Sequence, residues 1–132
     1  MKLSKQVVSL KLAKKLKELG VKQESLYWYV MNEDGKRLES EPHYARLEND
    51  ISAFTVAELG EMLPSHIKIK ERLCTIAYYS NEQYSKNYVE YESWEEDIEK
   101  RKTENTTEAK TEANARAKCL IYLLENKLIK HP

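Results

Sequence analysis

Two hydrophobic periods alternate along the chain, and each block of one or the other predicts an element. Ser9 stands where an N-cap would, with a hydroxyl able to accept from an orphan backbone N–H, although Ser4 offers an earlier start. Leu12, Ala13, Leu16 and Leu19 follow at helical spacing, and Gly20 supplies the left-handed residue that ends a first amphipathic helix. The next block, Leu26-Tyr27-Trp28-Tyr29-Val30-Met31, is aromatic and β-branched and suits a pleated surface. Asp34-Gly35 beyond it is a hairpin signal, leading into a short segment that ends near Leu38. From 39 to 52 the chain is polar, with isolated apolar positions at Tyr44, Leu47 and Ile51, and reads as loop.

The strongest local signature lies in 54–63. Thr55 followed three residues later by Glu58 is a capping box, Phe54 and Leu59 occupy the positions of a hydrophobic staple, and Pro64 stops the helix. Two alternating segments come next: residues 66–70, with Ile67 and Ile69 on one side, and residues 73–79, of strong β composition. Alternation resumes at Tyr88-Val89-Glu90-Tyr91, so residues 73–91 read as a hairpin with a long loop. Residues 92–110, rich in Glu, Lys, Thr and Asn, read as a polar mobile segment or a solvated extension of the last helix. That helix is capped by Thr111 and has Glu112 in the first turn, where the macrodipole favours a carboxylate. Ala113, Ala117, Leu120, Ile121, Leu124 and Leu128 give it one apolar face, small residues first, suited to close packing on a sheet.

At 132 residues the chain is the size of one domain, residues 1–132, able to hold a core without disulfide or metal staples. The predicted class is α+β: a mostly antiparallel sheet of about four strands with three helices packed mainly on one face. Cys74 and Cys119 form no C-x-x-C, which excludes a zinc ribbon or thioredoxin-like pair and fits a reducing compartment. No apolar run approaches the ~18 residues of a membrane span, and the N-terminus lacks a signal peptide's apolar core. The expectation is a soluble, cytoplasmic protein with no membrane partner.

A net charge of zero conceals segregation by sign. Residues 1–22 hold seven Lys and one acid, residues 23–104 ten basic and eighteen acidic side chains, and residues 105–132 five basic and three acidic. Lys11, Lys14, Lys15, Lys17 and Lys22 therefore form a candidate basic patch, with the solvated face of an amphipathic helix as the plainer reading.

Three stretches stand out: residues 9–23, with Leu-Ala-Lys-Lys-Leu-Lys-Glu-Leu-Gly-Val-Lys-Gln, residues 53–64, Ala-Phe-Thr-Val-Ala-Glu-Leu-Gly-Glu-Met-Leu-Pro, and residues 111–125, Thr-Glu-Ala-Asn-Ala-Arg-Ala-Lys-Cys-Leu-Ile-Tyr-Leu-Leu-Glu. Together they resemble a group of small uncharacterised proteins encoded by bacteriophages and prophages. They cover roughly a third of the chain in the group's order. Relatives in that group tend to carry Gly where Lys127 stands, so here the last helix must end on Asn126 or another device. The resemblance implies a phage or prophage context in a bacterial host cell and carries no assigned chemistry.

No catalytic constellation stands out. His43, His66 and His131 are scattered, so no metal site and no cofactor is expected, and Gly20, Gly35 and Gly60 are isolated, which excludes a phosphate-binding loop. Nine Tyr and two Trp against one Phe is the more informative imbalance, because these side chains suit surfaces that are wet when free and apolar when covered. Trp28, Tyr78, Tyr88, Tyr91 and Trp94 form the candidate binding surface, with Tyr replacing Phe in an ordinary core as the competing reading. Strand alternation points Trp28 away from Tyr27 and Tyr29, which leaves one sheet face for a partner. The leading expectation is a non-enzymatic accessory protein that binds a protein partner, with a homodimer open. A second reading takes residues 11–30 as a helix-turn-helix of a DNA-binding regulator, with Gly20 in the turn, Leu16 and Leu26 as its packing positions, and Lys17, Lys22 and Gln23 facing nucleic acid. The strand-like composition after Leu26 and a pI of 6.8 weigh against it. A small-molecule or nucleotide binder is the third reading.

Overall fold

The computed structural model describes residues 2–32, 35–40, 49–95 and 100–130. In chain order these form α1 (Leu3–Gln6), α2 (Leu10–Glu18), β1 (Tyr27–Asn32), β2 (Gly35–Ser40), β3 (Ile51–Ser52), α3 (Val56–Met62), β4 (His66–Ile69), β5 (Arg72–Asn81), β6 (Lys86–Glu95), β7 (Lys100–Ala109) and α4 (Glu112–Glu125). The class is α+β, with two antiparallel sheets: a four-stranded one ordered β4-β5-β6-β7 and a three-stranded one ordered β2-β1-β3.

Helix α4 is the central element. Ala113, Ala115, Ala117, Cys119, Leu120, Ile121, Leu123 and Leu124 are all buried, so it is covered over far more than the single face its heptad-like spacing announces. One side lies on β6 and β7, and α1, α2 and α3 cover others. Helix α2 also packs on β3, so the small sheet joins the same core: Tyr29 and Ile51 belong to one cluster with Val89 and Tyr91.

The helix ends follow local rules. Thr55 and Glu58 close the capping box, with Glu58 N–H donating to Thr55 Oγ1 at 3.2 Å and Thr55 N–H to Glu58 Oε1 at 2.9 Å. The second carboxylate oxygen of Glu58 accepts from Leu26 N–H at 3.1 Å, so this cap also holds the approach to β1. Thr111 caps α4 by accepting from Asn114 N–H at 3.2 Å. Ser9 occupies the N-cap of α2, but its hydroxyl makes no capping bond. Its N–H donates instead to Asn114 Oδ1 at 2.8 Å, tying the start of α2 to the start of α4.

At the C-termini, α2 and α4 use the same device with different residues. Val21 N–H returns to Leu16 O and Gly20 N–H to Lys17 O, with Gly20 at φ 87°. Leu128 N–H returns to Leu123 O and Lys127 N–H to Leu124 O, with Lys127 at φ 54°. Both are Schellman closures, and in the second a lysine holds the left-handed position that favours glycine.

Three expectations change. Residues 27–30, placed on the second helix of the helix-turn-helix reading, belong to β1, the central strand of the small sheet, so α2 is followed by no recognition helix. Residues 92–110 are strand rather than a mobile segment or a helical extension: β6 runs to Glu95 and β7 pairs with it from Lys100 to Ala109. Polar side chains on both faces of β7 give it no hydrophobic period of two, and a register shift between Tyr91 and Glu92 leaves Glu104 without a partner position. The polar stretch 39–52 is strand at both ends, at Glu39-Ser40 and Ile51-Ser52, while His43, Tyr44, Leu47 and Asp34 lie outside the described residues.

The β4–β5 connection is a two-residue turn in which Lys70 and Glu71 both take positive φ, 52° and 66°. Such turns favour Asn-Gly. Two substitutions test these strained positions by urea unfolding. Lys127→Gly raises the unfolding free energy by about 0.5–1 kcal/mol, the left-handed cost relieved less the entropy of a new glycine. Lys70→Asn with Glu71→Gly raises it by a similar or somewhat larger amount, about 1–2 kcal/mol.

Candidate functional site

Strand register divides the large sheet into two faces. Opposite residues of an antiparallel pair share a face, so Ile67, Cys74, Ile76, Val89 and Tyr91 look toward α4 and the core. The other face carries Leu73, Thr75, Ala77 and Tyr79 on β5 and Tyr88, Glu90 and Glu92 on β6. Tyr79 stands directly opposite Tyr88. Leu73 is 62% and Tyr79 43% exposed, so this outer face carries apolar and aromatic side chains in water. Polar neighbours fix the arrangement: Tyr79 OH donates to Glu92 Oε2 at 2.8 Å, Thr106 Oγ1 donates to Glu90 Oε1 at 3.2 Å, and Lys86 pairs with Glu108 at 3.7 Å.

The five aromatic candidates therefore separate. Trp28 is 5% exposed and donates Nε1–H to Ser25 O at 3.1 Å; it is an internal residue of the small sheet, because both faces of β1 are covered. Tyr91 is fully buried, its hydroxyl donating to Pro64 O at 2.8 Å, and it is core. Tyr78 pairs with Val89 and lies on the α4 side of the sheet, where it is still 42% exposed, so it does not share a face with Tyr88. Its ring lies beneath the Arg116 guanidinium, 4.1 Å from the centroid, while Arg116 Nη1 donates to Val56 O at 3.0 Å and passes against Gly60 of α3. Trp94 belongs to β6, but its side chain lies outside the described residues. Of the set, Tyr88 stays on the open face. Tyr79 and Leu73 join it, and only the β5–β6 register could have selected them.

Beside Tyr78, two adjoining hollows of about 130 Å³ and 360 Å³ share Ser80, Asn87 and Glu112 at the start of α4. Asn87 is committed there, accepting from Ser80 Oγ at 3.0 Å and donating to Lys110 O at 3.0 Å, so these walls are bonded chiefly to one another. Among the described residues no group of three or more His, Cys, Asp or Glu is placed to hold a metal ion, and no helix is long and apolar enough to cross a membrane.

The basic patch also divides. Lys17 Nζ donates to Asp50 O at 3.0 Å, and Lys22 pairs with Glu24 at 3.1 Å. Lys11, Lys14 and Lys15 line a groove between α2 and α4, where Lys118 joins them. Comparison with protein-family models, curated proteins and solved structures finds no match for the chain.

Both cysteines are free and buried. Burial pushes the Cys119 thiol up to about 12, against the opposing pull of a hydrogen bond from Thr107, and burial raises Tyr91, Tyr29 and Cys74 as well. Burial also raises the Tyr78 hydroxyl, which the Arg116 charge partly offsets. Each of these groups is neutral when protonated and its folded value lies above its unfolded one. Their contribution to stability is full below the unfolded values, near 8.5 for Cys and 10 for Tyr, and is lost as pH rises toward the folded values. The urea midpoint is therefore level between about pH 7 and 8 and falls above about pH 9. Cys119→Ala makes that fall shallower, by up to about 1.4 kcal/mol per pH unit. An equal slope in the variant removes the thiol from this account.

Proposed function

We propose that the chain is a non-enzymatic accessory protein that binds a protein partner through the outer face of the β4–β7 sheet, in the phage or prophage setting its sequence resemblance implies. The observation that carries this reading is the Tyr79–Tyr88 pair on a sheet face whose neighbours are polar, with Leu73 exposed farther along the same face. Tyr offers large contact area at low entropic cost and a hydroxyl that tolerates water before the partner arrives. Rings opposite each other on neighbouring strands form one continuous patch, and rigid aromatic side chains of this kind dominate binding energy at protein interfaces. Leu73 lies at the other end of the β5 row, so a partner that spans both ends covers the polar side chains between them.

The double variant Tyr79→Ala/Tyr88→Ala tests this. Both rings lie on the outer face, so the variant retains the fold, which circular dichroism and urea unfolding verify. As bait in a host-cell lysate treated with nuclease, it fails to retain a protein that the parent chain recovers. Equal recovery by both baits, or recovery from the parent that disappears with nuclease, overturns the reading.

A further inference from the structure

A second surface, formed by α2 and α4 and sharing no residue with that sheet face, has a different chemistry. The groove between α2 and α4 has a volume of about 310 Å³ and is lined by Lys11, Lys14, Lys15 and Lys118, with Leu12 and Ile121 between them and Glu18 at one end. Lys15 reaches Glu18 at 3.9 Å and Glu125 at 3.7 Å, and Lys118 Nζ donates to Glu108 O at 3.1 Å. Among the described residues neither Lys11 nor Lys14 pairs with a carboxylate, and both are exposed. The lysines come from two helices, so the fold assembles the cluster; the local run along α2 supplies only three of the four.

We propose that this groove is a docking site for an acidic amphipathic helix of a protein partner. An apolar floor rewards aliphatic side chains, and an ammonium rim rewards carboxylates flanking them, so the two requirements meet in a helix with Leu-like residues on one stripe and Glu or Asp beside it. A nucleic-acid backbone satisfies the rim but leaves Leu12 and Ile121 against phosphate and sugar. The groove follows α2 from Lys11 to Glu18, a rise of about 10 Å at 1.5 Å per residue, which matches about two turns of a helix lying alongside. Two anchors at i and i+3 or i+4 suffice to fill that length.

The probe is a synthetic peptide, two repeats of Leu-Glu-Glu-Leu-Leu-Glu-Glu with a fluorophore at one end, compared with the same peptide carrying Lys for Glu and with a duplex DNA of random sequence. The acidic peptide binds the full chain, measured by anisotropy, and the Lys peptide and DNA do not. Lys11→Glu/Lys14→Glu weakens binding by at least about tenfold, as expected when charges at a complementary rim are reversed. Leu12→Ser weakens it without altering the salt dependence, whereas Lys5→Glu/Lys110→Glu, changed at lysines outside the groove, leaves it intact. Absence of acidic-peptide binding, an equal loss in the remote-lysine control, or preference for the duplex overturns the proposal. Tyr79→Ala/Tyr88→Ala binds the peptide normally, so failure here and failure of the sheet-face reading are separate results.

Discussion

Burial of α4 on nearly every side is the constraint from which the rest of the architecture follows. Glu112, Lys118 and Glu125 are its exposed side chains; most of the rest of the helix is shared among β6, β7 and the first three helices. Ala113, Ala115 and Ala117 make this possible, since a larger side chain at such a position forces neighbours off their rotamers at a cost of about 1–3 kcal/mol. The arrangement also exhausts the helices. α1, α2 and α3 all pack on α4, so among the described residues no helix lies on the second face of the large sheet. The open sheet face is thus a consequence of how the core is built.

The three parts that meet around α4 are joined by one short extended segment. Val7 and Val8 are almost fully buried. Val8 N–H donates to Phe54 O at 2.9 Å, Tyr29 OH donates to Val8 O at 2.6 Å, Val7 bridges Thr55, and the next residue, Ser9, donates to Asn114. Within three residues the chain contacts β1, the entry to α3 and the first turn of α4. The link to the entry of α3 is backbone to backbone, the links to β1 and α4 use the Tyr29 hydroxyl and the Asn114 side chain, and the two valines fill the space between. The capping box of α3 sits in the same place, because Glu58 serves both Thr55 and Leu26. Local cap chemistry and long-range assembly are here the same set of hydrogen bonds.

This explains what was legible from the residues alone. Thr55–Glu58, Thr111, Gly20, and the alternation of Ile67 and Ile69 are decided by neighbours within a few positions, and each forms as its local rule requires. The α+β class follows from the same short-range signals. What stayed hidden depends on register. Tyr78 and Tyr79 are adjacent, chemically identical and almost equally exposed, yet one lies under Arg116 on the α4 side of the sheet and the other on the outer face, a division that only the pairing with Val89 and Tyr88 settles. Trp28 and Tyr91 look like interface residues by composition, and burial makes them core. The polar strand β7 could not be found by hydrophobic period at all: its ladder to β6 and the helix above it supply the order that its own side chains do not. The lysine groove has the same origin, since Lys118 comes to Lys11 and Lys14 from a helix about a hundred positions away.

A sheet with one open face and one long edge has two ways to recruit another chain, and the structure treats them differently. β7 is ten residues long and, among the described strands, has β6 as its only neighbour, which makes its far side a template for further pairing. Two features oppose that use. The irregularity at Tyr91 and Glu92 disrupts the ladder, and Glu104, at the displaced position, turns its carboxylate inward: its side chain is 4% exposed, accepts from Ser93 Oγ at 3.2 Å, and lies 3.9 Å from Arg72 and 4.0 Å from Lys102. An irregular edge with an inward charge is a recognised defence against strand addition. The outer face is regular at its Tyr79–Tyr88 pair, where the Tyr79 hydroxyl donates to Glu92. Protection of the edge is therefore consistent with the proposed use of the face, where docking would be side chain against side chain rather than by extension of the sheet.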